Sequence, residues 1–180
     1  MAGVDLLLRA AGLERAGLEG VVATRGPGSF TGVRVALATA QGLALALHIP
    51  AHGYSSLLAQ AARTDVAECL AAQPGRRGSA YVQPFVRRGT RVEALDDPRV
   101  VPIESLLETR LPVVAPAGLA LPPGTPTAPA AVGAAEAILH LLAQEAHPDP
   151  GTLTPLYLEP APAVKPPRTP VPWLPSPKAS

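Results

Sequence analysis

The chain has 180 residues, 47% of them hydrophobic but only 3% aromatic, so it can bury a real core made of Ala, Leu and Val and offers no broad aromatic platform. A net charge of +1 excludes holding nucleic acid by overall electrostatic attraction. Cys69 is the single cysteine, which excludes an intrachain disulfide framework and a thiolate zinc site and points to a cytoplasmic setting.

Val4 to Ala11 reads as the last turns of a helix that stops at Gly12, preceded by no basic leader, and Leu13 to Leu18 leads into a strand over Leu18 to Thr24 with β-branched Val21 and Val22. The glycine-dense turn Gly26-Pro27-Gly28-Ser29-Phe30-Thr31-Gly32 follows, then an apolar helix over Val33 to Leu47. Its longest apolar stretch, Val35 to Leu47, is shorter than a bilayer span and is interrupted by Thr39 and Gln41, so no membrane association is expected. His48 to Gly53 reads as a connection broken by Pro50, and Ser55 or Ser56 caps a second helix through Leu58 to Arg63.

From Val66 the pattern becomes that of a β-meander. Strands are predicted over Val66 to Ala72 and Ser79 to Arg87, with Val92 and Leu95 continuing the sheet. A short helix over Pro102 to Thr109, a strand over Val113 to Ala115 and a helix over Ala131 to Ala146, stopped by Pro148, complete the ordered part. Eight of the 23 prolines lie after Leu158, which predicts an extended or disordered tail. The expected organisation is therefore 1–52 as an N-terminal lobe, 53–158 as a second α/β lobe with a returning helix, and 159–180 as the tail.

Chemistry is most readily sought at the glycine turn, where main-chain N–H groups at a helix start form a generic anion site. Gly26, Gly28, Ser29, Thr31, Gly32 and Arg34 are the candidate contacts. The lysine and hydroxyl residue of a phosphate-binding Walker loop are absent after Gly32, where Val33 and Arg34 stand. Ser29 is one position early for the Gly-x-Ser-x-Gly of a hydrolase and is better read as a helix cap. His48 and His52 straddle Pro50, so a shared helical face for a metal is not expected; His140 and His147 read as helix-face and last-turn residues. Cys69, inside an apolar run, reads as a small buried hydrophobe.

The run Gly26 to Arg34, the helix segment Leu37-Ala38-Thr39-Ala40-Gln41-Gly42-Leu43-Ala44, then Ile49-Pro50 and Ser55-Ser56-Leu57 together resemble the TsaB (YeaZ) family. Arg76-Arg77-Gly78-Ser79-Ala80-Tyr81-Val82 and Pro155-Leu156-Tyr157-Leu158 echo the same family in the same order. The resemblance implies an α/β fold of the two-lobed actin, sugar-kinase and heat-shock-ATPase type, with the opening strands of the N-terminal lobe missing here. It also implies a non-catalytic bacterial subunit in forming threonylcarbamoyl-adenosine beside the tRNA anticodon. Such a subunit pairs with the metal-bearing paralogue TsaD, works with the ATPase TsaE, and meets tRNA only through the complex. No cofactor is expected on this chain alone; ATP is expected at the complex interface. A kinase-like or protease-like enzyme of the same fold is the alternative.

Gly32, Ala36, Ala40 and Ala44 recur every four residues as a smooth stripe bordered by Val33, Leu37 and Leu47. Two readings fit: a fully buried core helix, or an interface helix that packs with Leu7 of the first helix against TsaD or a second copy. The family resemblance favours the second.

Overall fold

The computed structural model describes residues 2–143 and 153–159. Helix α1 spans Ala2–Ala10, and the chain leaves it through Gly12 at φ +67. A short 3-10 turn, Arg15–Gly17, is tied back to α1 by the Arg15–Asp5 ion pair at 2.6 Å. Strand β1, Val21–Thr24, then runs into helix α2, Phe30–Leu47. The helix begins three residues before the predicted Val33 because Ser29, not a later residue, is its N-cap.

His48 closes α2 in the left-handed conformation at φ 54, and the chain turns into strand β2, Ala51–Tyr54. Here the structure corrects the expected irregular connection: β2 lies parallel to β1, pairing Val22 with His52 and Ala23 with Gly53. A boundary at residue 52 would fall inside this strand, so the first structural unit continues through Tyr54. Ala-His-Gly-Tyr has little β preference of its own, and the pairing is a tertiary choice. At Gly53 a Cβ would lie 2.7 Å from the Arg25 side chain and 3.0 Å from that of Leu153, so a larger residue would displace both.

Both faces of this two-stranded sheet are covered. Val21 and Ala23 face Val33, Leu37 and Ala40 of α2, with Leu153 closing the cluster. Val22 faces the other way, packed with Tyr54 and Ala62 against Ala137 and Leu141 of helix α4, Ala134–Ala143. By length and composition α2 passes as a membrane span, against the expectation that its apolar stretch is too short; Val33, Leu37, Ala40 and Leu43 are buried, while most of the helix is not. The predicted extension of α4 to Ala146 and its stop at Pro148 lie outside the described residues, as do His147 and the tail from residue 160.

Helix α3, Ser56–Ala61, is capped by Ser55, whose hydroxyl accepts from the Leu57 N–H at 3.2 Å. It packs on a five-stranded sheet made of β3 (Glu68–Pro74), β4 (Ser79–Arg88), β5 (Arg91–Ala94), β6 (Arg99–Pro102) and β7 (Val113–Val114), ordered β5-β4-β3-β7 with β6 also on β4. β4 is long enough to carry both partners on one edge: β5 pairs with Phe85 to Arg88 and β6 with Ser79 to Val82. Alternation along β3 and β4 sorts the core. Cys69, Ala71, Tyr81 and Phe85 face Leu57 and Ala61, while Leu70, Ala72, Ala80 and Val82 face Leu106 of the 3-10 helix Ile103–Glu108. Strand β6 went unpredicted because Arg99-Val100-Val101-Pro102 is short and ends in proline, and its identity comes from the ladder with β4.

Candidate functional site

The glycine-rich turn is closed by its own fold. Ser29 Oγ accepts from the Gly32 N–H at 3.2 Å, satisfying one orphan donor of the α2 start. Gly26 sits at φ +98, its carbonyl accepting from Ser56 N–H at 2.8 Å, and a Cβ there would lie 2.9 Å from the Leu156 carbonyl oxygen. Glycine is needed at this point because the returning segment 153–159 crosses it.

Arg34 is drawn to the same segment. Its guanidinium carbon stands 3.8 Å from the centre of the Phe30 ring, and its Nε donates to the Tyr157 hydroxyl at 2.8 Å. Phe30 and Tyr157 are themselves in ring contact at 5.3 Å. Of the six residues expected as anion contacts, the Gly26 carbonyl, Ser29 Oγ, the Gly32 N–H and Arg34 Nε have partners within the chain. Gly28 is half-buried and Thr31 is exposed.

The expected partner stripe also needs correction. Val33, Leu37 and Ala40 are buried against β1, Leu37 and Ala40 being only 3% exposed, so they form core and present nothing to a partner. Ala36, Ala44 and Leu47 are half-buried at its margin. The open apolar face lies on the other side of α2, with Val35 at 61% and Leu45 at 77% exposure beside the small residues Ala38, Gly42 and Ala46. Leu7 is exposed as the interface reading requires, and its neighbour Leu6, which sequence reasoning missed, is exposed too. A groove of about 470 Å³ runs along this face, lined by Arg15, Val35, Ala38, Gly42, Leu43 and Leu47. Periodicity alone cannot orient a helix that is apolar all round; β1 decides which side is covered.

Elsewhere the chemistry is sparse. Cys69 is buried and its thiol is pushed up to about 11 by desolvation, against the lowering influence of Arg87. His48 ends α2 while His52 stands in β2, and His140 is exposed on α4. Among the described residues no three His, Cys, Asp or Glu side chains cluster as a metal site would require.

Comparison with known proteins joins these features to a lineage. Residues 1–146 match the family model described as "TsaD: tRNA N6-adenosine threonylcarbamoyltransferase". The chain belongs to this family. Within it the resemblance is to TsaB (YeaZ): the "tRNA threonylcarbamoyladenosine biosynthesis protein TsaB" of Escherichia coli K12 is 33% identical over 108 residues, covering 54% of this chain and 47% of that protein. The protein of the same description from Buchnera aphidicola is 38% identical over 74 residues, covering 39% of this chain and 35% of that one. The chain thus spans about half or less of the length of these curated relatives. A solved structure described as YeaZ from Pseudomonas aeruginosa superposes with a TM-score of 0.65 at 24% identity, covering 86% of this chain and 81% of that one. A second, described as an uncharacterised protein with similarity to peptidase YEAZ from the same organism, gives 0.65 at 23%, covering 87% and 81%. These two establish the fold, the α/β architecture of the YeaZ proteins.

Proposed function

We propose that this chain is a TsaB-like, non-catalytic subunit in the formation of threonylcarbamoyl-adenosine in tRNA, acting in the cytoplasm by pairing with TsaD. The observation that carries the reading is the open apolar face of α2, where Ala38, Gly42 and Ala46 let another helix approach closely; Leu6 and Leu7 are exposed separately on α1. Obligate interfaces resemble a core cut in half, and this face has that character. A second copy of the chain would use the same surface in the absence of TsaD.

The non-catalytic role is supported by how the reactive groups are spent. Ser29 caps a helix, Cys69 is buried with a raised pKa, and Gly26 of the turn is crossed by the Leu156 carbonyl. ATP and TsaE belong, in this reading, to the assembled complex, and tRNA is reached through it. The reading is tested by reconstitution: purified TsaD, TsaE, tRNA and a supply of threonylcarbamoyl-adenylate should yield modified tRNA only when this chain is added. Modification at the same rate without it, or turnover of a peptide or nucleotide by this chain alone, would overturn the proposal.

A further inference from the structure

The segment Leu153 to Glu159 touches both sheets in the space of seven residues. Leu153 is buried in the cluster between β1 and α2, and its carbonyl accepts from Gln41 Nε2 at 3.4 Å. The Leu156 N–H donates to the Arg25 carbonyl at 2.7 Å, Tyr157 holds Arg34 and Phe30, and Leu158 packs against the Leu57–Tyr81 cluster of the five-stranded sheet. The last contact is the Tyr81 hydroxyl of β4 donating to Glu159 Oε2 at 2.6 Å, a charge-assisted bond in a partly buried place.

One glycine shows that this path is built in. Gly26 lacks room for a Cβ, which would lie 2.9 Å from the Leu156 carbonyl oxygen. The backbone of the first unit is shaped around the strap.

We propose that Leu153–Glu159 is an inter-sheet strap that mechanically couples Tyr81 on β4 to the glycine-rich turn and first turn of α2, with the Tyr81–Glu159 and Arg34–Tyr157 bonds as its two fastenings. Releasing the strap at one end loosens what the other end holds. A network of this kind transmits because each fastening orders the same short backbone, so that loss of either raises the cost of the other.

Amide hydrogen exchange on the full chain tests this. Four reporter amides lie along the strap and turn: Gly32, Val33, Ser56 and Leu156. Tyr81→Phe should speed their exchange roughly tenfold, the equivalent of one lost bond to a charged group. The β3–β4 ladder amides of Ala71 and Gln83 should hold their protection. Glu159→Ala should match Tyr81→Phe, and the double variant should add nothing further. Tyr157→Phe, which keeps the ring and removes only the hydroxyl, should affect the same four amides. Unchanged exchange at Gly32 and Val33 in Tyr81→Phe would overturn the proposal, and so would a uniform rise that includes Ala71 and Gln83.

Discussion

Arg34 and Tyr157, 123 positions apart in sequence, meet in a hydrogen bond of 2.8 Å from guanidinium Nε to phenolic oxygen. The contact places the family's closing motif on the start of its most diagnostic helix and fixes the orientation of Arg34 beside the glycine turn. A planar guanidinium both stacks on Phe30 and donates in its own plane, which an ammonium cannot do. Arg34→Ala and Arg34→Lys should therefore each lower stability, by about 1 kcal/mol for the alanine and nearly as much for the lysine. Urea unfolding of the two variants checks this, and full recovery by lysine would show that charge alone matters.

Ser29→Ala removes the cap on the Gly32 N–H. The expected cost is about 1 kcal/mol, with the fold retained. Complete loss of tRNA modification in a folded Ser29→Ala protein would reveal a chemical role for the hydroxyl.

Gly26→Ala is expected to be far worse than Ser29→Ala. It combines a positive φ with a Cβ 2.9 Å from the Leu156 carbonyl oxygen, a backbone atom that moves only if the strap moves. Gly42→Ala is the opposite case: nothing lies within 4 Å of its Cβ, so helix propensity should add up to about 1 kcal/mol. Thermal melts of the two variants should shift in opposite directions.

Tyr81 carries a pH signature. Desolvation, and then its hydrogen bond to Glu159, push the phenol up to about 12 from 10.0. With the folded-state value above the unfolded one, the stabilisation is complete below pH 10 and disappears as pH rises towards 12. Stability measured across this range should fall less in Tyr81→Phe than in the parent. Cys69, raised to about 11, should resist a thiol reagent at pH 8 in the folded chain and react once denatured.

The elements with strong local signals were legible. The capped helix α2, the meander of β3 and β4, and the Gly12 stop are written in glycine placement and apolar period, and the structure follows them to within a few residues. What the sequence hid was decided by partners distant in the chain. β2 is a strand only because β1 lies beside it, and β6 only because β4 is long enough to hold it. The same limit governed the candidate site. A helix rich in Ala and Leu on every side gives no clue to its orientation, so the stripe of Ala36, Ala40 and Ala44 was as good a candidate as Val35, Ala38, Gly42 and Leu45 until β1 claimed one of them. The turn hid a further role in a related way: its glycines resemble an anion cradle, and Gly26 also makes room for Leu156, 130 positions on.

The orientation of α2 moves the decisive substitution. Ala40→Arg, the natural choice from the sequence, would drive a cation into the core beneath β1 and unfold the chain for reasons unrelated to a partner. Val35→Glu with Leu45→Glu instead places two carboxylates on the open face, where neither side chain supports the fold.

Co-purification of this Val35→Glu, Leu45→Glu chain with TsaD, beside a thermal melt of the chain alone, is the most direct trial of the proposed role. The account predicts a melting temperature close to that of the parent together with loss of the TsaD complex and of tRNA modification in the reconstituted system. A doubly substituted chain that still elutes with TsaD and supports modification at the parental level would contradict it.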